Sequence, residues 1–185
     1  MNPELLRIAA IERQRYLEFF IQETNLLKAG KHTCATELQV ELSNAIAYPY
    51  NIIFLDFIYK DEKDDDQITE LRLDEILDYP PEVFKLDNLT LTVTPFCWNS
   101  CELITNAPDI SFLPDWLEKW LKIGEDIPDT ELAGVLHSCS EPKNINGNFL
   151  LIIDFGSAPE ECFAELMQLL ADYGATETRV ATTEI

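Results

Sequence analysis

The chain has 185 residues, 34 of them acidic and 13 basic, for a net charge of −21 at pH 7. Folding at this length removes roughly 70% of the extended chain's surface from water, enough for a core without disulfide or metal staples. The charge excludes two partner classes, because nucleic acid and an anionic membrane would both be repelled.

Residues 2–30 read as one long helix, with Asn2 as cap, Pro3 in the first turn and Gly30 as the stop. Leu6, Ala10, Leu17, Phe20, Ile21 and Leu27 give its expected apolar face. The acidic excess begins after it: residues 1–31 carry five basic and four acidic side chains. The first ten residues hold Glu4 and Arg7 and no apolar run leading to a cleavage site, and the longest strictly apolar run is the five residues 149–153. The expectation is a cytoplasmic protein without a membrane span.

Leu38, Val40 and Leu42 alternate with Glu37, Gln39 and Glu41, which predicts a strand with the apolar set inward. The alternative is a short helix over 33–47 capped by Thr33. Tyr48-Pro49-Tyr50 breaks the run, and 51–59 reads as a second strand, rich in β-branched and aromatic residues. Asp61, Glu62, Lys63, Asp64, Asp65 and Asp66 are too polar to bury and read as a solvated loop between strands. Pro80 and Pro81 break the mixed stretch 68–87. Residues 89–94 alternate as a strand, with 102–105 as the expected hairpin partner across 95–100.

Leu113, Trp116, Leu117, Trp120 and Leu121 recur at i, i+3, i+4, i+7 and i+8, which predicts an amphipathic helix over 112–123. Both tryptophans are expected in the core, and Trp98 at the surface. Residues 132–138 and 148–155 read as strands around the Asn146-Gly147 turn. Ser157 is the expected cap of a helix over 159–173, with Phe163, Leu166, Met167 and Leu170 facing inward and Gly174 as its stop. Residues 176–182 form a final strand. The expected fold is one α+β domain over 1–185, with a weak seam at 106–111. Its sheet is mostly antiparallel, with an N-terminal helix and two amphipathic helices packed on it.

Catalytic chemistry has little to start from. Histidine occurs at His32 and His137 only. His137 and Cys139 share a strand face and are the candidate pair for a nucleophile or metal site, but no further histidine or cysteine motif surrounds them. Five cysteines, Cys34, Cys97, Cys101, Cys139 and Cys162, are an odd number at scattered spacing and read as reduced thiols. Cys97 and Cys101 lack the second pair that a structural zinc needs. An EF-hand frame counted from Asp61 fails, with Asp66 at position six and Arg72 at position twelve. Asp154-Phe155-Gly156 copies a kinase triplet without the rest of the kinase set and reads as a strand end. Six glycines form no phosphate-binding loop. The expectation is a protein that is not an enzyme, with no catalytic residue, cofactor or metal.

The charge is concentrated: residues 56–87 carry net −8 and 102–184 carry net −12. Two clusters stand out as expected partner-binding residues: Asp61, Glu62, Asp64, Asp65 and Asp66, and Glu125, Asp126, Asp129 and Glu131. Such clusters suit fast capture of a basic partner. The acidic composition, the segment Leu113-Pro114-Asp115-Trp116-Leu117-Glu118-Lys119-Trp120, the following hairpin and Asp154-Phe155-Gly156-Ser157-Ala158-Pro159 resemble the immunity proteins of bacterial contact-dependent and polymorphic toxin systems. The resemblance implies a small cytoplasmic inhibitor that binds a cognate toxin domain, often a basic nuclease, and occludes its active site. The alternatives are a nucleic-acid mimic acting on a DNA-binding protein and an enzyme using His137 and Cys139.

Overall fold

The computed structural model describes residues 2–29, 33–73, 75–125 and 132–182. Among these, helix α1 spans Pro3–Lys28, and the Asn2 side chain accepts from the Glu4 amide at 2.9 Å as its cap. Its buried face is Leu5, Ile8, Ala9, Glu12, Tyr16, Leu17, Phe20 and Thr24. Of the expected face, Leu17 and Phe20 are buried, whereas Leu6, Ala10, Ile21 and Leu27 lie at its half-buried margins. The rotation brings the polar Glu12 and Tyr16 inside.

Strands β1 (Cys34–Glu41), β2 (Ile52–Lys60) and β3 (Asp66–Thr69) form a three-stranded antiparallel sheet in the order β1-β2-β3. The acidic run is the tip of the β2–β3 hairpin. An irregular stretch then leads to β4 (Glu82–Leu86), β5 (Leu89–Val93) and β6 (Cys101–Thr105). Helix α2 (Leu113–Trp120), strands β7 (Ser138–Cys139), β8 (Lys143–Ile145) and β9 (Asn148–Asp154), helix α3 (Glu160–Asp172) and strand β10 (Glu177–Thr182) complete the described chain. The second sheet runs β4-β5-β10-β6-β9-β7, with β8 beside β9. The fold class is α+β, as the alternating patterns predict.

The expected hairpin of residues 89–94 with 102–105 does not form. Strand β10 lies between them, parallel to β5 and antiparallel to β6. The hairpin partner of β5 is β4, through a tight turn in which Asp87 takes a positive φ of +52°. Residues 95–100 instead carry Phe96, Cys97 and Trp98 into the core, so the connection is an interior segment. The Asn146-Gly147 turn does form, with both residues at positive φ, as its hairpin type requires. Residues 132–137, expected as the body of a strand, form no regular element, with Gly134 at φ +66°, and the strand is confined to Ser138–Cys139. Ser157 is not the cap of α3: its hydroxyl accepts from the Gly134 and Val135 amides at 2.8 and 3.1 Å, and Pro159 holds the cap position.

One face of the larger sheet carries Leu91, Val93, Cys101, Leu103, Leu151, Ile153 and Val180 into the core. Helix α3 packs there through Phe163, Leu166, Met167 and Leu170, and α2 through Leu113, Trp116 and Leu117. Trp98 is 0% exposed, against expectation; its ring lies 4.7 Å from that of Phe155 and its Nε1 donates to the Gly156 carbonyl at 3.0 Å. Trp120, expected in the core, sits half-buried at the edge, where its Nε1 donates to Glu165 at 2.6 Å. All five cysteines are free thiols. Among the described residues, no helix is long and apolar enough to cross a membrane.

These positions order two substitutions. Trp98→Ala empties a fully enclosed site and is expected to cost about 3–5 kcal/mol. Trp120→Ala removes an edge contact and is expected to cost about 1–2 kcal/mol. Urea unfolding of the two variants measures the order, and the reverse ranking would contradict this packing.

Candidate functional site

The two sheets meet at His137. Its backbone N–H donates to Asp154 O at 2.9 Å, and its carbonyl accepts from the Phe54 N–H at 2.8 Å, so one residue is hydrogen-bonded to β9 and β2 at once. The imidazole is 1% exposed. Phe54 stacks over it with centroids 6.4 Å apart, and Tyr16 and Phe20 of α1 meet it edge-on at 6.4 and 5.9 Å.

Three carboxylates surround this ring. Glu37 Oε1 lies 2.8 Å from Nε2, and Asp56 Oδ1 and Asp154 Oδ2 lie 2.9 and 3.9 Å from Nδ1. Nε2 makes a hydrogen bond. The Nδ1 approach to Asp56 is close but off the N–H direction, so Nδ1 and Asp56 Oδ1 are both buried atoms without a hydrogen-bond partner. The Tyr16 hydroxyl is a third such atom.

Each carboxylate is fixed from behind. Glu37 Oε2 accepts from the Ala133 amide, Asp56 Oδ2 from the Leu71 amide at 2.7 Å, and Asp154 Oδ1 from the Gly156 amide at 2.8 Å. Glu37 reaches inward because its backbone takes φ +50°, which breaks the expected alternation of β1. The ladder register holds across it, with Thr36 facing Phe57 and Leu38 facing Leu55. Leu38 and Leu42, expected inside, are 40% and 38% exposed and Val40 is half-buried, while Glu37 is 7% exposed. Gly156 permits the close packing behind the ring: at φ +51°, a Cβ there would lie 2.0 Å from His137 Cδ2.

Burial opposes charge on His137, but Asp154, Asp56 and Glu37 outweigh it and raise the imidazolium pKa to about 10. The ring is therefore a cation at neutral pH. Burial raises the Asp154 carboxyl above its ordinary range, opposed by His137 and reinforced by Asp56. Cys139 does not join the group. Burial pushes its thiol up to about 12, the opposite of an activated nucleophile. Among the described residues, the His/Cys/Asp/Glu atoms with metal-ligand proximity are those of Asp56, His137 and Asp154, all within 4.8 Å of one another. Beside them lies a groove of about 420 Å³ whose wall includes Asp56, Leu71, Leu73, Asn99, Ile152 and Asp154.

The expected partner-binding residues lie elsewhere. Glu62, Asp64, Asp65 and Asp66 are exposed at the hairpin tip, and Asp61 is half-buried beneath them. The Asp61 carboxylate accepts from the Lys63 and Asp65 amides at 2.8 and 3.0 Å, which makes this loop a defined turn. Glu125 is exposed beyond α2. Asp126, Asp129 and Glu131 lie outside the described residues, as does His32. Sequence reasoning singled out His137 and missed its partners. The available signal was Asp56, the one charged residue in the apolar run 52–59. Comparison with known protein families, with curated proteins and with solved structures finds no match to the chain.

Two outcomes test the cluster. Gly156→Ala forces a side chain into the His137 ring at a left-handed backbone position and is expected to cost about 3 kcal/mol or more in chemical denaturation. The second concerns pH. His137 has its pKa raised from 6.5 to about 10, so the stability it contributes is fully present below 6.5 and is lost as pH rises through about 10. In buffer containing EDTA, wild-type stability should fall across that window, and His137→Asn should flatten the fall. Parallel profiles for the two proteins would contradict the assignment.

Proposed function

We propose that the chain is an immunity protein: a cytoplasmic inhibitor that binds a basic toxin domain and occludes its active site. The carrying observation is the acidic β2–β3 tip. Glu62, Asp64 and Asp65 project into solvent from a turn pinned by Asp61, and the ion pair formed there among the described residues is Lys60–Asp66 at 2.8 Å. A fixed cluster of uncompensated charge suits electrostatic steering, because the partner meets a preorganised field and less entropy is lost on docking. The net charge of −21 extends that field over the molecule. Exposed Glu125 is the described member of the second cluster.

The reading predicts that a neighbouring gene encodes a basic toxin domain, and the test is protection and kinetics against that domain. Co-expression should relieve toxicity. Association should slow with added salt, because exposed charges are screened beyond about 8–10 Å at physiological ionic strength. The variant Glu62→Gln, Asp64→Asn, Asp65→Asn, Asp66→Asn should associate about tenfold more slowly or worse, with dissociation little changed. Asp61 is left in place because it holds the turn, and asparagine tolerates the left-handed backbone of residue 64, where φ is +66°. Absence of protection, or association indifferent to both salt and substitution, would overturn the proposal.

A further inference from the structure

Three carboxylates face one imidazole in the interior, which leaves an excess of negative charge where burial makes charge costly. Isolated acidic clusters are common, but this one contains buried atoms that make no hydrogen bond although they lie 2.9 Å apart. His137 Nδ1 is on a side chain 1% exposed, Asp56 Oδ1 on one 9% exposed, and neither has a hydrogen-bond partner. Asp154 Oδ2 lies 3.9 Å from Nδ1, on a side chain that is 24% exposed and lines the groove.

We propose that Asp56 Oδ1, His137 Nδ1 and Asp154 Oδ2 are the ligands of a first-row divalent metal ion whose remaining coordination positions open into the groove. The separations fit. Metal–ligand bonds of about 2.0–2.2 Å place ligand atoms no more than about 4.4 Å apart. The two Nδ1–carboxylate distances, 2.9 and 3.9 Å, lie within that limit. The third separation, Asp56 to Asp154, is at most 4.8 Å, so it needs a shift of no more than a few tenths of an ångström.

The surroundings are those of an oriented ligand set. Glu37 accepts a hydrogen bond from Nε2–H, which fixes the ring and leaves Nδ1 to the metal, and a hydrogen-bonded carboxylate behind a histidine raises its basicity as a ligand. The Leu71 and Gly156 amides each hold the far oxygen of Asp56 and Asp154, so the near oxygens are aimed by the backbone. One nitrogen and two oxygens suit Zn²⁺, Mn²⁺ or Fe²⁺, and fall short of the six to eight oxygens that Ca²⁺ takes. Ligation requires Nδ1 unprotonated, so binding releases that proton to solvent. The ion would join β2 to β9 across the meeting of the two sheets. This site stands apart from the inhibitor reading, which rests on the hairpin tip.

The test uses the full chain, stripped with EDTA and titrated with Zn²⁺ by calorimetry and with Co²⁺ by visible absorption. A single saturable site per chain is expected, with Co²⁺ d–d bands and a raised melting temperature in excess Zn²⁺. Asp154→Asn keeps an oxygen for the Gly156 amide and should weaken Zn²⁺ binding about tenfold or more, an effect of the size seen when metal sites are perturbed. The control Asp64→Asn, Asp65→Asn at the hairpin tip should bind as wild type does. Should Asp154→Asn fail to fold, the wild-type His137 ring nitrogens serve instead, with the Nδ1 resonance moving on Zn²⁺ addition. No saturable binding, a site lost in the hairpin control but kept in Asp154→Asn, or an unmoved Nδ1 resonance would overturn the proposal.

Discussion

A buried imidazolium surrounded by carboxylates is the constraint on which the arrangement of the two sheets depends. His137 is the residue that both sheets grip by the backbone, and its side chain is where Glu37 of β1, Asp56 of β2 and Asp154 of β9 converge. A group of this kind is asymmetric in its energetics. Built complete, it gains little over an apolar core of equal volume; broken by loss of one partner, it costs about 3–5 kcal/mol, because a charge is left buried and uncompensated. The sheets are therefore held in one relative placement, since any other separates these four side chains. The left-handed backbone at Glu37 and the bare Cα of Gly156 are local costs that serve the same end.

Much of the fold was legible in the residues, and the reasons are local. Asn2 and Pro3 start α1, the i, i+3, i+4 stripe of Leu113, Trp116 and Leu117 makes α2, and Asn146-Gly147 turns the β8–β9 hairpin. Each signal lies within one element or one turn. What was not legible is nonlocal. The insertion of β10 between β5 and β6 depends on a strand some seventy residues downstream, and no period in residues 89–105 announces it. Alternation in β1 does not announce that one residue, Glu37, leaves the extended region with φ +50° and is buried although the register on either side of it is kept. Trp98 read as exposed from its polar neighbours Asn99 and Ser100, yet its indole N–H finds the Gly156 carbonyl and the ring fills the core.

The site was half legible for the same reason. His137 is one of two histidines and stands out as chemistry, and Cys139 is the candidate partner that sequence proximity offers. The true partners come from positions 37, 56 and 154, and only the tertiary fold brings them together. The acidic surface, by contrast, was read directly from the run 61–66, because a charge run that dense has no place but solvent. The chain thus separates its acidity into two kinds. The exposed tip carries charge that faces solvent, and the interior carries charge arranged around one ring.

Native-state hydrogen exchange, comparing wild type with His137→Asn, most directly tests whether this cluster holds the two sheets together. The reporter is the Phe54 amide, which donates to the His137 carbonyl and belongs to β2. If the account is right, Phe54 and its β2 neighbours exchange about a hundredfold faster or more in the variant, while the β6 and β9 amides change less, so that the smaller sheet opens as a separate unit. Protection of β2 unchanged in the variant, or lost to the same degree as in β6 and β9, would contradict it.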